Sequence, residues 1–512
     1  MSEKLFKALQ AIDGKHYGKF KDIAGSYPWE RFTLHVDDVQ GSPSSGPSRM
    51  RLTISSSVSG FPDDTYSNDQ RRTALADLIA RRFWESSRTH MKNISFPRPG
   101  QEILERGSVR IFRNYIQVAF GMDLPAAGKN AAGKGATSSF KLLYQVAEES
   151  LIFASYKRSK LYKHIETAEN AAYIRSRLND LGLVSFIAKD SILPRRDDGA
   201  APMTDAVPFT YPESFVMNAE VPNGPPIPGF GIRKGMTVIA GATGSGKTTL
   251  IRAIRAGVYD HIPGDGREYV ITEGTAFMTK RADGRSADNV DASMFSKNGT
   301  VTSECIYGAL SQSVTMSEAV EMGCSTLLAD EDSSYCPVLC FDPVLREMVP
   351  EEEETIIPVT DVQLPFSVVA VSGSGAVLER ADTIILMKGL SVKEVSVKKE
   401  PKVITSGTGP RYPVVRDLPE LGCRENAVTV GKRPADVSDL MFVSDCSFLD
   451  SAVSFISKAG ERMDGTVAVT EIFRNIEPSH DEIVLRPLDI VMVMNRLGAV
   501  RMIKRKNDNN AT

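Results

Sequence analysis

The stretch VIAGATGSGKTTL, at residues 238–250, decides the fold of this chain. Its segment from Gly241 to Thr248 fits the pattern G-x-x-x-x-G-K-[ST] at every fixed position. Glycines at these places let backbone N–H groups turn inward around a phosphate, and the positive end of the following helix faces the same anion. A short apolar run precedes the segment and a helical pattern follows it. This strand–loop–helix order predicts a phosphate loop, the name used below for residues 241–248.

The phosphate loop provides candidate ligands for a nucleotide. Lys247 would place its charge near the β- and γ-phosphates, and Thr248 would offer its hydroxyl to Mg²⁺. The predicted nucleotide-binding residues of this region are Gly241, Thr243, Gly244, Ser245, Gly246, Lys247, Thr248 and Thr249. The alternative is a chance glycine-rich turn, which would not require a strand before it and a helix after it.

A second glycine-rich stretch, GKNAAGKG at residues 128–135, matches the same pattern until its last position. Gly135 has no hydroxyl to offer a metal ion, and no clear strand precedes the stretch. We therefore predict a flexible loop here rather than a second nucleotide site.

Four apolar runs predict a mainly parallel sheet. They are MTVIAG (236–241), STLLADED (325–332), FSVVAVSGSG (366–375) and DTIILM (382–387). Helical stretches separate strand-like runs in this part of the chain, as in α/β folds with parallel strands. The carboxyl edge of such a sheet is where its ligands bind.

An acidic cluster would complete a site at that edge. The run STLLADED ends in Asp330, Glu331 and Asp332, so its strand should present these acids beside the phosphate loop. Asp330 suits a Mg²⁺ ligand, and Glu331 suits the base that orients or deprotonates an attacking water. The predicted catalytic residues are therefore Glu331 and Lys247, and the predicted metal ligands are Thr248 and Asp330. The alternative is a solvated acidic turn.

Composition and length limit the class of protein. The 512 residues exceed one ordinary core, and the net charge of −3 gives no overall sign of nucleic-acid binding. No apolar run of about 18 residues occurs, so we expect no membrane insertion and a soluble intracellular protein. The N-terminus is not Arg-rich and contains Glu3, which favours the cytoplasm over the mitochondrion and leaves both compartments open. Cys336 and Cys340 are expected to be small apolar side chains rather than zinc ligands.

Several longer segments resemble one family. They are AIDGKHYGKFKDIAGSY, DDVQGSPSSGPSR, GQEILERGSV, GVYDHIPGDGREYV, ADGRS, LLADED and MNRLGAVRM. Together they resemble the predicted ATPases of the ABC class, a family that includes a kinetoplastid mitochondrial RNA-associated member. The resemblance implies an α/β fold with three parts: a mixed α/β N-terminal domain (1–200), a P-loop ABC-type ATPase core (201–415) and a small C-terminal domain (416–512) with a disordered tail.

The resemblance also implies ATP and Mg²⁺ as cofactors and a homodimer. ABC-type cores bind ATP between two subunits, and the phosphate loop of one faces the signature segment of the other. Here the signature segment is IYGALSQS, residues 306–313. The resemblance assigns a set of nucleotide-site residues by position: Lys247, Thr248, Asp283, Gly308, Ser311, Gln312, Asp330 and Glu331. Arg267 and Arg285 lie in matched loops, and a structural ion pair is an equal interpretation for each.

The chain departs from the family pattern mainly in the part that would face the other subunit. Tyr307 and Ala309 replace two serines of the signature segment, and Ala282, Pro337 and Ala376 replace further residues. The phosphate loop and the acidic cluster are complete. We therefore predict Mg²⁺-dependent ATP binding with slow hydrolysis, coupled to conformational change in a dimer that acts on a macromolecule.

The alternative is a nucleotide-gated binding scaffold with little turnover and an RNA partner. The RNA partner rests on the family resemblance, because no motif with stacked aromatic side chains is evident. The candidate basic residues are Arg49, Arg51, Lys129, Lys134, Arg195, Arg196, Arg501, Lys504, Arg505 and Lys506. Each of them has a solvated surface charge as its alternative interpretation.

Overall fold

The computed structural model describes residues 2–196, 201–350, 353–362, 366–398 and 409–505, and these form two compact units. The first unit comprises Met1–Glu169, Asp445–Ser447 and Glu477–Val484. The second comprises Asn170–Ser444, Phe448–Ile476 and Leu485–Thr512. The expected boundary at residue 200 falls inside the second unit, because the strand Leu183–Ala188 pairs with two strands of that unit. The separate C-terminal domain stays a prediction, and the tail beyond residue 505 lies outside the described residues.

The first unit is built around an antiparallel sheet. Its strands are Gly25–Pro28, Thr33–Asp38, Ser48–Ser55, Tyr115–Met122 and Ile94–Ser95 in that order, and Val109–Ile111 also pairs with Tyr115–Met122. The side chains of the strand Ser48–Ser55 alternate between the core and the outer face. Alternation follows from the two-residue period of a strand with one buried face.

The first unit also contains helices, and the three longest that lie wholly within it bury apolar residues. The helices are Glu3–Ile12, Ser56–Ser59, Asp69–His90 and Gly133–Leu151, followed by Arg158–Arg177, in which the second unit begins. The Asn68 side chain caps the helix Asp69–His90 by accepting a hydrogen bond from the Arg71 N–H at 2.9 Å.

The stretch at 128–135 differs from the flexible loop that its glycines predicted. Ala126–Ala127 and Asn130–Ala131 form a small hairpin, and Gly133 begins the helix Gly133–Leu151. A side chain at Gly133 would overlap the Leu9 carbonyl, so this glycine permits close packing rather than flexibility.

The second unit contains the predicted parallel sheet. Its strand order is Phe277–Thr279, Thr326–Asp330, Ser367–Val371, Met236–Gly241, Thr383–Lys388 and Ser391–Val397. The first five strands are parallel, and the last is antiparallel to its neighbour. All four predicted strands are therefore confirmed. Their long apolar runs reflect a sheet buried on both faces.

The helix Lys247–Ala256 follows the phosphate loop and covers this sheet. Leu250, Ile251 and Ile254 are fully buried and belong to one core cluster with residues of the sheet strands. Their spacing places them on one side of the helix. Burial of this side fixes the start of the helix beside the carboxyl ends of the strands.

The other elements of the second unit surround the parallel sheet. A second sheet has the order Met217–Ala219, Ile227–Arg233, Leu183–Ala188 and Val270–Thr272. A hairpin joins Arg285–Asp291 to Thr300–Ile306, and the helix Gly308–Glu321 follows it. Further helices are Cys336–Leu339, Pro343–Met348, Gly375–Arg380, Phe448–Ala459 and Pro487–Arg496. Further strands are Tyr412–Val414, paired with Arg501–Ile503, and the meander Leu421–Arg424, Ala427–Val430 and Arg433–Asp436. Among the described residues, no helix has both the length and the apolar character needed to cross a membrane.

Candidate nucleotide site

The phosphate loop adopts the backbone conformation that its glycines predicted. Gly241, Gly244 and Gly246 have φ angles of 152°, 75° and 90°. Side chains rarely tolerate this region of φ, so glycine is needed at each position. A Cβ atom at Gly241 would also lie 2.5 Å from the Met387 carbonyl oxygen. The loop is therefore shaped by backbone geometry and has no room for added side chains at its start.

Lys247 closes the loop from its inner side. Its Nζ donates to the carbonyl oxygens of Gly241 and Ala242 at 2.8 and 2.9 Å. Ser245 is buried, and its hydroxyl has no hydrogen-bond partner among the described residues. A lysine that bonds only carbonyls of its own loop and a buried hydroxyl without a partner both fit an anion as their ligand. The residues present therefore fit the phosphates of a nucleotide.

Two glycines of the phosphate loop, Gly244 and Gly246, differ in the space around them, and this difference allows a matched test. Gly246 has positive φ, and a Cβ atom there would lie 2.5 Å from Leu390 Cδ2 and 3.2 Å from Leu390 Cα. Gly244 also has positive φ, but a Cβ atom there would meet nothing within 4 Å. We expect Gly246→Ala to weaken ATP binding more than Gly244→Ala, whose strain alone costs about 1–2 kcal/mol. Titration of both variants with Mg²⁺-ATP checks this order, and equal affinities would contradict it.

The acidic cluster reaches the same sheet edge as the loop. In the sheet register, Val371 lies opposite Asp330 on one side and opposite Ile239 on the other. Asp330 is buried at the end of its strand, and its Oδ1 accepts a hydrogen bond from the Asp332 N–H at 3.3 Å. The structure thus brings Asp330 and the phosphate loop to one edge, where Asp330 and Thr248 would hold Mg²⁺.

Glu331 is held in place by Gly373, which lies just after the neighbouring strand Ser367–Val371. Residues Glu331–Ser333 form a single 3₁₀ turn, called the acidic turn below. Glu331 Oε2 accepts a hydrogen bond from the Gly373 N–H at 2.7 Å. The neighbouring Ser372 N–H donates to the Ile239 carbonyl at 3.2 Å, so the segment that holds Glu331 is itself fixed to the phosphate-loop strand. The carboxylate is therefore oriented by backbone groups.

Lys280 is a residue of this edge that the sequence reasoning did not single out. It directly follows the strand Phe277–Thr279 of the parallel sheet. Burial, helped by the nearby charge of Arg255, lowers the pKa of Lys280 to about 8, while Asp439 and Asp330 act in the opposite direction. Its position after a strand of the sheet was the available signal. Lys280 adds a positive charge close to the predicted metal ligand.

The residues assigned from the signature segment lie in a cluster of their own. Asp283 Oδ1 accepts from the Gly308 N–H at 2.7 Å, at the start of the helix Gly308–Glu321, called the signature helix below. The Ser311 hydroxyl donates to the Gly308 carbonyl at 2.8 Å, and Gln312 is bonded to Ser334 and Tyr335. Ser311 and Gln312 are fully buried. The side-chain contacts of these residues are internal, and their contact with a nucleotide stays a prediction.

Two of the departures from the family pattern have a clear place in the structure. Tyr307 precedes the signature helix and is 65% exposed. Pro337 lies in the first turn of the short helix Cys336–Leu339, where a missing N–H breaks no helical hydrogen bond. The helix following the acidic turn is thus compatible with proline, and Tyr307 presents its ring at the exposed start of the signature helix.

The two arginines in matched loops have structural partners. Arg285 is buried and lies 2.6 Å from Glu318, so the ion-pair interpretation is confirmed for it. Arg267 is buried and its Nε donates to the Leu193 carbonyl at 3.0 Å. Neither contact involves the phosphate loop.

Several of the candidate basic residues also pair with acids of their own unit. The pairs are Arg51 with Asp37, Lys134 with Asp13, Arg195 with Asp265, and Lys504 with Asp291. Lys506 lies outside the described residues. Pairing reduces the charge available to a phosphate backbone, so these contacts favour the interpretation as ordinary surface or structural charges.

Comparisons with solved structures return ABC ATPases at low similarity. One is a bacterial Atm1-family ABC exporter with ATP bound, at 11% identity and a TM-score of 0.26, covering 52% of this chain and 50% of that chain. Another is CbiO1 from Clostridium perfringens, part of the ABC transporter complex CbiONQ, at 14% identity and a TM-score of 0.25, covering 42% and 89%.

Sequence comparison identifies a relative and a family. An uncharacterised protein of Methanocaldococcus jannaschii is 33% identical over 214 residues, covering 36% of this chain and 47% of that protein. The chain thus spans about half the length of this curated relative. A family model described as the P-loop domain of the ABC_ATPase family matches residues 157–413, and one described as the N-terminal domain of ATPases of the ABC class matches residues 2–154. The chain belongs to the family of ATPases of the ABC class.

Proposed function

We propose that this chain binds Mg²⁺-ATP and hydrolyses it slowly, as a homodimer whose opening and closing act on a macromolecule. The observation that carries the proposal is the meeting of the phosphate loop with a fixed Glu331 at one edge of the parallel sheet. A loop alone supports binding, whereas a loop with an oriented carboxylate supports attack by water.

Each residue of the edge has a chemical role in this proposal. Lys247 would exchange the loop carbonyls for phosphate oxygens, and Thr248 and Asp330 would hold Mg²⁺, which would offset the negative charge of the phosphates. Glu331 orients a water and accepts its proton as the water oxygen bonds to the γ-phosphorus. The bond from that phosphorus to the β–γ bridging oxygen breaks, and ADP and inorganic phosphate result.

Slow turnover follows from the signature segment. In a dimer this segment would approach the γ-phosphate bound to the other subunit, and donors there stabilise charge that develops during transfer. Tyr307 and Ala309 stand where the family has serines, so Ala309 lacks the hydroxyl donor and Tyr307 places a bulky ring in the position of the other serine. Binding depends on the loop and Mg²⁺ and would be less affected. A homodimer would also couple nucleotide binding to closure.

A nucleotide-gated scaffold is the second candidate, and the exposure of Tyr307 favours it. A bulky exposed ring at the start of the signature helix would hold that helix away from a phosphate on the other subunit. Such a protein would bind ATP and release almost no phosphate. An RNA partner would show an affinity that falls steeply with salt, and no binding at low salt would remove the RNA proposal.

Lys247→Ala tests the nucleotide site itself. Loss of a charge-assisted contact is expected to weaken Mg²⁺-ATP binding by about 10- to 150-fold. Lys234→Ala is a matched control, since Lys234 lies near the other end of the same strand and donates to Asn179. Calorimetric titration of the wild type and both variants gives the affinities, and phosphate release by the wild type separates the ATPase from the scaffold. Equal affinities for wild type and Lys247→Ala would overturn the site assignment.

A further inference from the structure

We infer that Gln312 is a positioning residue for Glu331, through which the signature helix sets the geometry of the water-activating carboxylate in its own subunit. The inference rests on the proposed function for the role of Glu331. It gives Gln312 a task other than direct contact with a nucleotide.

Gln312 uses both ends of its amide to hold the residues that follow the acidic turn. Its Nε2 donates to Ser334 Oγ at 3.0 Å, and its Oε1 accepts from the Tyr335 N–H at 2.9 Å. Gln312 and Ser334 are buried at 0% and 2% exposure, so water does not replace these bonds when they are lost. The Tyr335 N–H requires an acceptor at this position, and the Ser334 hydroxyl can pair with either a donor or an acceptor.

Arg281 and Asp283, which flank Ala282, also hold residues 333–335. Arg281 donates through Nε and Nη2 to the Ser334 carbonyl at 3.0 and 2.7 Å, and its N–H donates to the Ser333 carbonyl at 2.9 Å. Asp283 accepts hydrogen bonds from the Tyr335 hydroxyl and from the Gly308 N–H that begins the signature helix. The start of the helix and residues 333–335 are therefore joined by Gln312 and by Asp283 together.

The acidic turn transmits this anchoring to Glu331. The Ser334 N–H donates to the Glu331 carbonyl at 3.3 Å, so the residue held by Gln312 closes the turn that begins with Glu331. The Glu331 carboxylate is fixed from the other side by the Gly373 N–H. A carboxylate held at both its backbone and its oxygen has little freedom, and displacement by about 1 Å reduces catalysis by about 100-fold.

The coupling has a consequence for the dimer. The signature helix would meet the nucleotide of the other subunit, while Glu331 would act on the nucleotide of its own. Gln312 joins the two within one chain, so displacement of the signature helix on dimer closure would shift Glu331 as well. The shared element is the helix start with residues 331–335, held together by the side chains of Arg281, Asp283 and Gln312.

The test compares Gln312→Met with Ser317→Ala in the full-length chain. Methionine keeps the length of the side chain and removes both hydrogen bonds. Ser317 is a buried residue of the same helix that lies outside the signature segment, and its hydroxyl donates to the Ser313 carbonyl of that helix, so its removal is a matched control. We expect Gln312→Met to release phosphate about 10- to 100-fold more slowly with Mg²⁺-ATP affinity within about threefold of wild type, and Ser317→Ala to match the wild type.

A double variant separates positioning from a general structural role. If Gln312 acts through Glu331, then Gln312→Met combined with Glu331→Gln is no slower than Glu331→Gln alone. Multiplying effects, or a loss of ATP affinity as large as that of Lys247→Ala, would overturn the inference. Gln312→Glu keeps an acceptor for the Tyr335 N–H, so it is expected to release phosphate faster than Gln312→Met. If Gln312→Met does not fold, Gln312→Glu takes its place in the comparison.

Hydrogen exchange measures the hydrogen bond between Gln312 and the Tyr335 N–H and does not require ATP hydrolysis. The amide of Tyr335 should exchange faster in Gln312→Met than in the wild type or Ser317→Ala, because its acceptor is removed. Unchanged exchange would overturn the inference even in an active enzyme. A wild type without turnover but with the expected exchange would instead count against the proposed function alone.

Discussion

Replacing Glu331 with glutamine is expected to leave Mg²⁺-ATP affinity within about twofold and to reduce phosphate release by about 10²–10⁴-fold. Glutamine has the same shape, and its carbonyl oxygen can accept the bond that the Gly373 N–H donates at 2.7 Å. It cannot accept a proton from water at neutral pH. The expected split between binding and turnover therefore follows from the loss of one basic oxygen and not from a change in structure.

Steady-state phosphate release and calorimetric binding, measured on the same preparations, check this expectation. Asp332→Asn is the matched control, because Asp332 lies in the same turn, is exposed and contributes only its N–H to Asp330. Its rate should stay near that of the wild type. If Glu331→Gln retained the wild-type rate, water activation by Glu331 would be wrong. If both proteins bound ATP and neither released phosphate, the scaffold function would replace the ATPase.

Glu331→Gln also tests the proposed homodimer. A variant that binds ATP and does not hydrolyse it should accumulate in the closed state, because bound ATP favours closure and hydrolysis does not remove it. Light scattering with Mg²⁺-ATP should then report twice the mass seen without nucleotide. A mass that stays that of one chain would argue against coupling between nucleotide and dimer.

The second large effect is expected in the first unit, at Asp77. This residue is fully buried on the helix Asp69–His90, and its carboxylate lies 2.6 Å from Arg81 and 3.2 Å from Arg106. Arg106 also lies 2.6 Å from Asp445, and all of these residues belong to the first unit. Asp77 thus shares one buried charge network with two arginines and a second aspartate.

Asp77→Asn is expected to destabilise the protein by about 3–5 kcal/mol, because it leaves buried guanidinium charge without a full set of partners. Asp69→Asn, on the same helix, is the control, since Asp69 is 86% exposed in its pair with Arg72 and should change stability far less. Urea unfolding of both variants followed by circular dichroism gives the difference. Equal midpoints for the two variants would contradict the importance of this network.

The effect should depend on pH in a defined direction. Burial alone would raise the pKa of Asp77, but Arg81, His164 and Arg106 outweigh it and hold the pKa well below its usual range. A carboxyl whose pKa is lower in the folded state contributes stability above its unfolded pKa of about 3.9 and loses it as pH falls toward the folded value. The difference between wild type and Asp77→Asn should therefore be full at pH 7 and shrink below about pH 4.

The sequence predicted the parts of the fold that depend on local pattern. The phosphate loop, its strand and helix, and the strands at 325–332, 366–375 and 382–387 each carry their own apolar period or fixed motif. Because parallel strands of one sheet share a carboxyl edge, the meeting of Asp330 and Glu331 with the loop could also be inferred. The residues within the motif are constrained by φ angles and charge, which are local requirements.

Tertiary structure decided what joins residues that are distant in the chain. Glu331 contacts Gly373, Gln312 contacts Tyr335, and Arg106 joins Asp77 to Asp445. No repeating pattern in the sequence relates the residues of these contacts to one another. Family position assigns Gln312 to the nucleotide site, which stays a prediction, and only the packing shows that its amide contacts Ser334 and Tyr335. A buried amide or charge must find its partners wherever the chain brings them, and this depends on the packing of whole units rather than on any stretch of sequence.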